Sequence, residues 1–172
     1  MKYIKADIKQ KQQIFTKEGY QVSIVRTLVS DGTSANILYR LTYWLMQHRL
    51  APLAIITLWL NRVVNGCVIG ADAFFDKGFV IMHPVGVVIN SKVRGGNNVI
   101  VESGVVIGDE KGRAPVLGSH IFIGSGAKII GDITIGDNVK IGANAVVVKN
   151  VPSDVTVVGI PAKVVNKGNQ AC

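Results

Sequence analysis

Cysteine, aromatic side chains, charge and long apolar runs are all scarce in this chain, and each scarcity removes a class of function. There are two cysteines, Cys67 and the terminal Cys172, with no CxxC spacing. That is too few for a disulfide framework and gives a redox or metal centre little to start from, so a reducing compartment is expected. Aromatic residues make up 6% and do not interleave with the basic ones, so the stacking platform that single-stranded nucleic acid needs is missing. The longest apolar stretch near the middle, Leu50 to Leu60, has 11 residues, against about 20 for a membrane span. Met1-Lys2-Tyr3-Ile4-Lys5 leads into charged and polar residues rather than an apolar h-region, so no secretory signal is expected and the cytoplasm is the expected location. Charged residues are 17% against 48% hydrophobic, which excludes a disordered linker or charged tail protein.

What is present points to one β-rich domain. The length of 172 residues lies within the roughly 100 to 200 residues of a single domain. Nineteen glycines, with Val and Ile abundant from residue 63 onward, favour many short strands over a helical bundle. The net charge of +8 suits nucleic acid, a membrane surface or an anionic cofactor alike.

Residues 1–66 read as a helical segment. Asp31-Gly32-Thr33-Ser34 is a breaker, with Ser34 as the expected N-cap of a helix carrying Ile37, Leu38, Leu41, Trp44 and Leu45 on one face. Pro52 is placed to begin the next helix, which runs to about Val64 and stops at Asn65-Gly66, and an amphipathic helix over Asp7 to Lys17 precedes both. Trp44, Trp59 and their apolar neighbours are expected to pack helix on helix, with an interfacial membrane patch as the sharper alternative.

From residue 67 to 152 the pattern changes to a repeat. Every sixth residue from Ile69 gives Ile69, Phe75, Ile81, Val87, Val93, Val99, Val105, Lys111, Leu117, Ile123, Ile129, Ile135, Ile141 and Val147, of which thirteen of fourteen are apolar. Neither an α-helix nor an alternating strand holds such a period over some eighty residues. A coil with three short flat faces does, each six-residue unit supplying one inward aliphatic and one tight corner. The expected fold is therefore mainly β: a left-handed parallel β-helix of about five coils behind an N-terminal α-helical segment. Lys111 is the one exception; it sits in Gly108-Asp109-Glu110-Lys111-Gly112-Arg113-Ala114-Pro115, read as a loop that replaces one hexapeptide without shifting the phase. A basic tail over 153–172, with Lys163 and Lys167, closes the chain.

Of three histidines, His48 falls in the helical region with a solvated or capping role, and His120 precedes Ile121-Phe122-Ile123 as a solvated surface residue, with acceptor contact as the alternative. His83 stands two residues past the ladder position Ile81, near a corner, where a side chain faces out of the prism. A base working near neutral pH is most often a histidine, so His83 is the candidate catalytic group.

Residues 35 to 165 resemble the serine O-acetyltransferase group of hexapeptide-repeat acetyltransferases, including relatives devoted to bacterial exopolysaccharides such as the colanic acid acetyltransferases. The resemblance is carried by Leu38-Tyr39-Arg40-Leu41-Thr42-Tyr43-Trp44-Leu45, His83-Pro84-Val85-Gly86-Val87-Val88-Ile89, Ile123-Gly124-Ser125-Gly126-Ala127-Lys128-Ile129-Ile130-Gly131, Ile141-Gly142-Ala143 and Val157-Val158-Gly159-Ile160-Pro161-Ala162-Lys163-Val164-Val165. It implies acetyl transfer from acetyl-CoA to a hydroxyl, without a metal, in a cleft between subunits of a homotrimer, with pairing of trimers through the helices left open. His83 matches the family's catalytic histidine. Asp109, Ser125, Lys140, Ala143 and Lys163 match positions that contact CoA, and a backbone N–H near Gly108 is placed for the oxyanion. A γ-type carbonic anhydrase shares the fold but needs three zinc histidines, and the coils hold only His83 and His120.

The departures set the expected acceptor. Where serine-specific members have an Asp before the histidine and another fifteen residues upstream, this chain has Met82 and Val68; the loop's Arg-His pair becomes Arg113-Ala114, and an acidic position of the helical part becomes Phe15. A free amino acid brings an ammonium and a carboxylate that need charged partners when desolvated. With Met82 and Arg113 lining the acceptor site, the expectation is a sugar hydroxyl in surface-polysaccharide assembly, with contact at the inner face of the plasma membrane as an option and L-serine a poor substrate. L-serine acetylation for cysteine synthesis and a non-catalytic trimeric scaffold are the alternatives. Glu102, nineteen residues past His83 and so about one coil on, is the expected partner of the histidine, ahead of Asp76 and Asp72.

Overall fold

The computed structural model describes residues 2–167. Four helices come first: α1 (Lys2–Lys17), α2 (Ile24–Leu28), α3 (Thr33–Gln47) and α4 (Ala51–Asn65). The first runs five residues further toward the N-terminus than its apolar pattern indicates. The expected cap at Ser34 is corrected: Gly32, at φ 76°, precedes α3 with no side-chain cap, and the Ser34 hydroxyl donates instead to Asn65 Oδ1 at 2.6 Å. Helix α4 carries its proline in the first turn and ends at Gly66 in the left-handed region, as such sequences favour.

Behind the helices the chain winds into stacked coils of three short strands: β1 (Val68–Ile69), β2 (Phe74–Phe75) and β3 (Val80–Ile81); β4 (Val88–Ile89), β5 (Arg94–Gly95) and β6 (Ile100–Val101); β7 (Val106–Gly108), β8 (Val116–Leu117) and β9 (Phe122–Ile123); β10 (Lys128–Ile130), β11 (Thr134–Ile135) and β12 (Lys140–Ile141). A fifth coil is made by β13 (Val146–Val147), a bridge from Val151 to Ile135, and β14 (Val155–Val158). The strands stack as three parallel sheets: a first face β1-β4-β7-β10-β13, a second β2-β5-β8-β11 and a third β3-β6-β9-β12-β14. The stretch expected as a basic tail is structured as far as β15 (Lys163–Lys167), which adds antiparallel to β14 at the rim of the third face; positions 168–172 of that tail lie outside the described residues.

The interior is a ladder of aliphatic rungs, and its phase differs from the simple count of six. Ile69 pairs with Ile89 and Ile81 with Val101, twenty residues apart; Ile107 pairs with Ile129, twenty-two apart; Ile123 pairs with Ile141, eighteen apart. Two corners are therefore enlarged, by two residues within 82–86 and by four within 108–114. The two insertions sum to six, so the count regains its phase, and between them it lands on Val87, Val93, Val99 and Val105, which are a second set of fully buried inward residues. The loop does not replace a hexapeptide; the two-residue insertion beside His83 hides the shift. Inside, Gly95 stands where a rung aliphatic would, because the Phe75 ring occupies its space: a Cβ there would lie 2.3 Å from Phe75 Cδ1.

The helices close the first coil. Phe75 and Phe79 stack at 4.1 Å between ring centres, and Tyr39 meets Phe79 edge-on at 5.4 Å while its hydroxyl donates to Ala73 O. Around this apolar plug runs a buried polar clamp. Arg40 Nε donates to Asp7 Oδ2 at 2.7 Å and its Nη atoms to the carbonyls of Phe75 and Asp76, while Asp7 Oδ1 accepts from the N–H groups of Gly78 and Phe79. Trp44 and Trp59 do not pack helix on helix as expected; they are 47% and 60% exposed, with Leu53, Ile55, Ile56 and Val63 beside Trp59 on α4 also exposed. Among the described residues no helix is long and apolar enough to cross a membrane.

Candidate functional site

His83 lies in the enlarged corner where the third face turns into the first. The corners of successive coils stack there: Gly104 N–H donates to Val85 O at 2.9 Å, Gly126 N–H to Ser103 O at 2.7 Å, and Asn144 N–H to Ser125 O at 2.8 Å. One edge of the prism thus carries His83, Glu102, Ser125 and Ala143 in order, and Lys163, paired with Val158, stands at its last coil. Lys140 points outward from the third face three residues before Ala143.

The other expected residues are elsewhere. Gly108 ends β7, and Asp109 and Arg113 follow in the loop, so all three lie at the far end of the first face from His83. Asp109 Oδ1 accepts from Asn90 and its Oδ2 from Gly112 N–H, while exposed Arg113 donates to Asp132 Oδ2 at 2.7 Å. A single chain does not bring Gly108 or Arg113 to His83. His48 caps the end of α3, its Nδ1 2.8 Å from Trp44 O, and His120 is exposed beside Asn98, away from this edge. Among the described residues, no three His, Cys, Asp or Glu side chains form a metal-holding group.

The expected pairing of His83 with Glu102 is corrected. His83 Nδ1 lies 2.8 Å from Asp31 Oδ2, the two side chains being 59% and 61% exposed. Asp31 sits on the turn between α2 and α3, read from sequence only as a helix breaker; it is 52 positions from His83, and no local spacing signals the pairing. Glu102 keeps a place in the site without bonding the ring. The register Ile81↔Val101 sets it beside Met82, half-buried, and burial pushes its carboxyl above the usual range while the His83 charge acts in the opposite direction. Glu18, just past α1, pushes it up further and Lys11 pulls it down. Asp76 and Asp72 belong to the opposite corners of the first coil, Asp76 lending its backbone carbonyl to Arg40.

Comparison with known proteins places this geometry. The bacterial transferase hexapeptide family of six repeats matches residues 114–149. A serine acetyltransferase of Helicobacter pylori is 39% identical over 144 residues, which are 81% of this chain and 84% of the relative. The chain belongs to the serine acetyltransferase family. A further serine acetyltransferase, from Synechococcus elongatus, is 39% identical over 142 residues, 80% of this chain, and this chain spans 58% of that relative's length. Among solved structures, Neisseria gonorrhoeae serine acetyltransferase in complex with serine superposes with a TM-score of 0.87 at 32% identity, covering 96% of this chain and 68% of that one. The Brucella abortus enzyme in complex with coenzyme A gives 0.89 at 26%, covering 98% and 68%.

The acyltransferase class and the acetyl-CoA donor expected from sequence stand with this membership. The exopolysaccharide reading does not: at 38–39% identity the relatives are serine acetyltransferases, and so are the structural neighbours. The relatives lend no support to the inner-membrane placement. The physical reason is that charge reaches the site from elements that fixed sequence offsets do not mark. Val68, Met82 and Phe15 are indeed uncharged, but the fold brings Asp31 from a helical turn and Glu102 from the next coil to the His83 edge.

Proposed function

We propose that the chain transfers an acetyl group from acetyl-CoA to the hydroxyl of L-serine. The observation that carries this reading is the similarity to serine acetyltransferases over four fifths of the chain, spanning both the helices and the coils. The geometry of the His83 edge supports it. His83, with Nδ1 engaged, has Nε2 free to take the hydroxyl proton as the serine oxygen attacks the thioester carbonyl; the thiolate leaves and takes that proton from the ring. Glu102, half-buried beside Met82, is the carboxylate for the serine ammonium, and Arg113 is the cation for its carboxylate.

His83 and Arg113 sit at opposite ends of the first face, so the complete site is formed between neighbouring subunits. That face offers an apolar outer strip for the contact, Val68, Val88, Val106 and Val146 in register with Lys128. A homotrimer puts one subunit's His83 edge against the next subunit's loop. Ser125, Ala143 and Lys163 then line the CoA side, and the basic Lys140 and Lys163 face its phosphates. The test is product analysis: purified protein with acetyl-CoA and L-serine should yield O-acetyl-L-serine, and His83→Ala should lower the rate by about 10²–10⁴-fold. Absence of acetylated serine overturns the reading.

A further inference from the structure

We infer that Asp31 is the positioning residue of His83, a role taken from the helical segment because, among the described residues, none of the coils is hydrogen-bonded to the ring. The inference deepens the proposed acetyl transfer and rests on His83 acting as its base. The contact itself is direct: Nδ1 to Oδ2, 2.8 Å. Glu102, the carboxylate that the coils place nearby, is not bonded to the imidazole, and Val68 on β1 offers no charge.

The turn that presents Asp31 is built with unusual care for an exposed pair. Buried Lys11 on α1 donates from Nζ both to the Asp31 carbonyl and, at 3.1 Å, to the Ile81 carbonyl two residues before His83, joining the turn to the end of β3. Gly32 presses against the same strand end: a Cβ there would lie 2.2 Å from Ile81 O, and its φ of 76° suits glycine. Asp31 Oδ1 accepts from Gly32 N–H at 3.0 Å, which orients the carboxyl and leaves Oδ2 for His83. An exposed ion pair contributes little to folding stability, so a turn fixed to the end of β3 by Lys11 and Gly32, with one hydrogen bond orienting its carboxylate, points to a role at the ring.

The chemistry follows from the tautomer. A neutral imidazole has one N–H and one lone pair, and the hydrogen bond made by one nitrogen decides which it is. Asp31 accepting from Nδ1–H leaves the lone pair on Nε2 for the acceptor hydroxyl, and it stabilises the imidazolium once that proton has moved.

Two readouts on the full chain test this. In Asp31→Asn, which keeps the Oδ1 acceptor for Gly32, kcat for L-serine should fall on the order of 10²-fold with both KM values within about threefold, and Asp31→Glu should recover part of the loss. Nitrogen-15 shifts of the neutral His83 ring should report Nδ1–H in the wild type and a shift toward Nε2–H in Asp31→Asn. Wild-type kcat in Asp31→Asn overturns the inference, and so does a fall in kcat with an unchanged tautomer. The ring shifts need no acceptor, so they are read independently of His83→Ala, whose full activity would instead overturn the base assignment.

Discussion

The coils and the helical segment bury different things. Among the described residues, all the buried side chains of the coils are apolar apart from the weakly polar Cys67 thiol, whereas every buried charged or amide side chain, Asp7, Lys11, Asn36, Arg40, Asn61 and Asn65, belongs to the helices, along with buried Thr27, Thr33, Thr42 and Thr57. An apolar ladder is held by area and shape and tolerates exchange among aliphatics. A polar clamp is directional, and each donor needs its own acceptor. The coils thus supply a stiff, repetitive frame, and the helices attach to its first turn in one register only, which is what places Asp31 at His83.

The difference can be broken at the clamp most severely. Arg40→Met leaves Asp7 buried without its cation and strips donors from the Phe75 and Asp76 carbonyls; denaturant unfolding should show a loss of about 3–5 kcal/mol.

A smaller effect comes from Lys11, whose ammonium burial pushes down to about 8. Because the folded state releases this proton before the unfolded chain does, stability should rise with pH from about 8 to about 10.5, by at most about 3 kcal/mol. Comparing the pH dependence of unfolding in the wild type and Lys11→Met isolates the contribution: the variant should lack that rise, and an identical slope would show that Lys11 is not strained by burial.

The mildest change belongs to the ladder. Ile129→Val, one fully buried rung among many, should cost about 0.5–1.5 kcal/mol in the same unfolding measurement. A loss as large as that of Arg40→Met would erase the contrast between the two regions.

The same contrast explains what the sequence could say. The period, the inward aliphatics and the loop over 108–115 were all legible, because a repeat writes each structural position many times, and His83 stands out as a candidate against that repeat. The two-residue insertion beside His83 was not: the four-residue insertion after Gly108 completes a sixth residue, and Val87, Val93, Val99 and Val105 are apolar in either phase. Asp31 was equally hidden. Its partner is 52 positions away, and the pairing depends on Lys11 and Gly32 docking a turn onto β3, contacts with no period. Val68, Met82 and Phe15 at the family's offsets carry no charge and so mislead about the acceptor, since a fold can supply a carboxylate from another element.

The claim that Asp31 and Glu102 complete a serine site around His83 meets its most direct test in steady-state kinetics of the wild-type protein, following thiol release from acetyl-CoA as L-serine is varied. The account predicts saturation, with kcat/KM at or above about 10⁴ M⁻¹s⁻¹. Thiol release at the same rate with and without L-serine would contradict it.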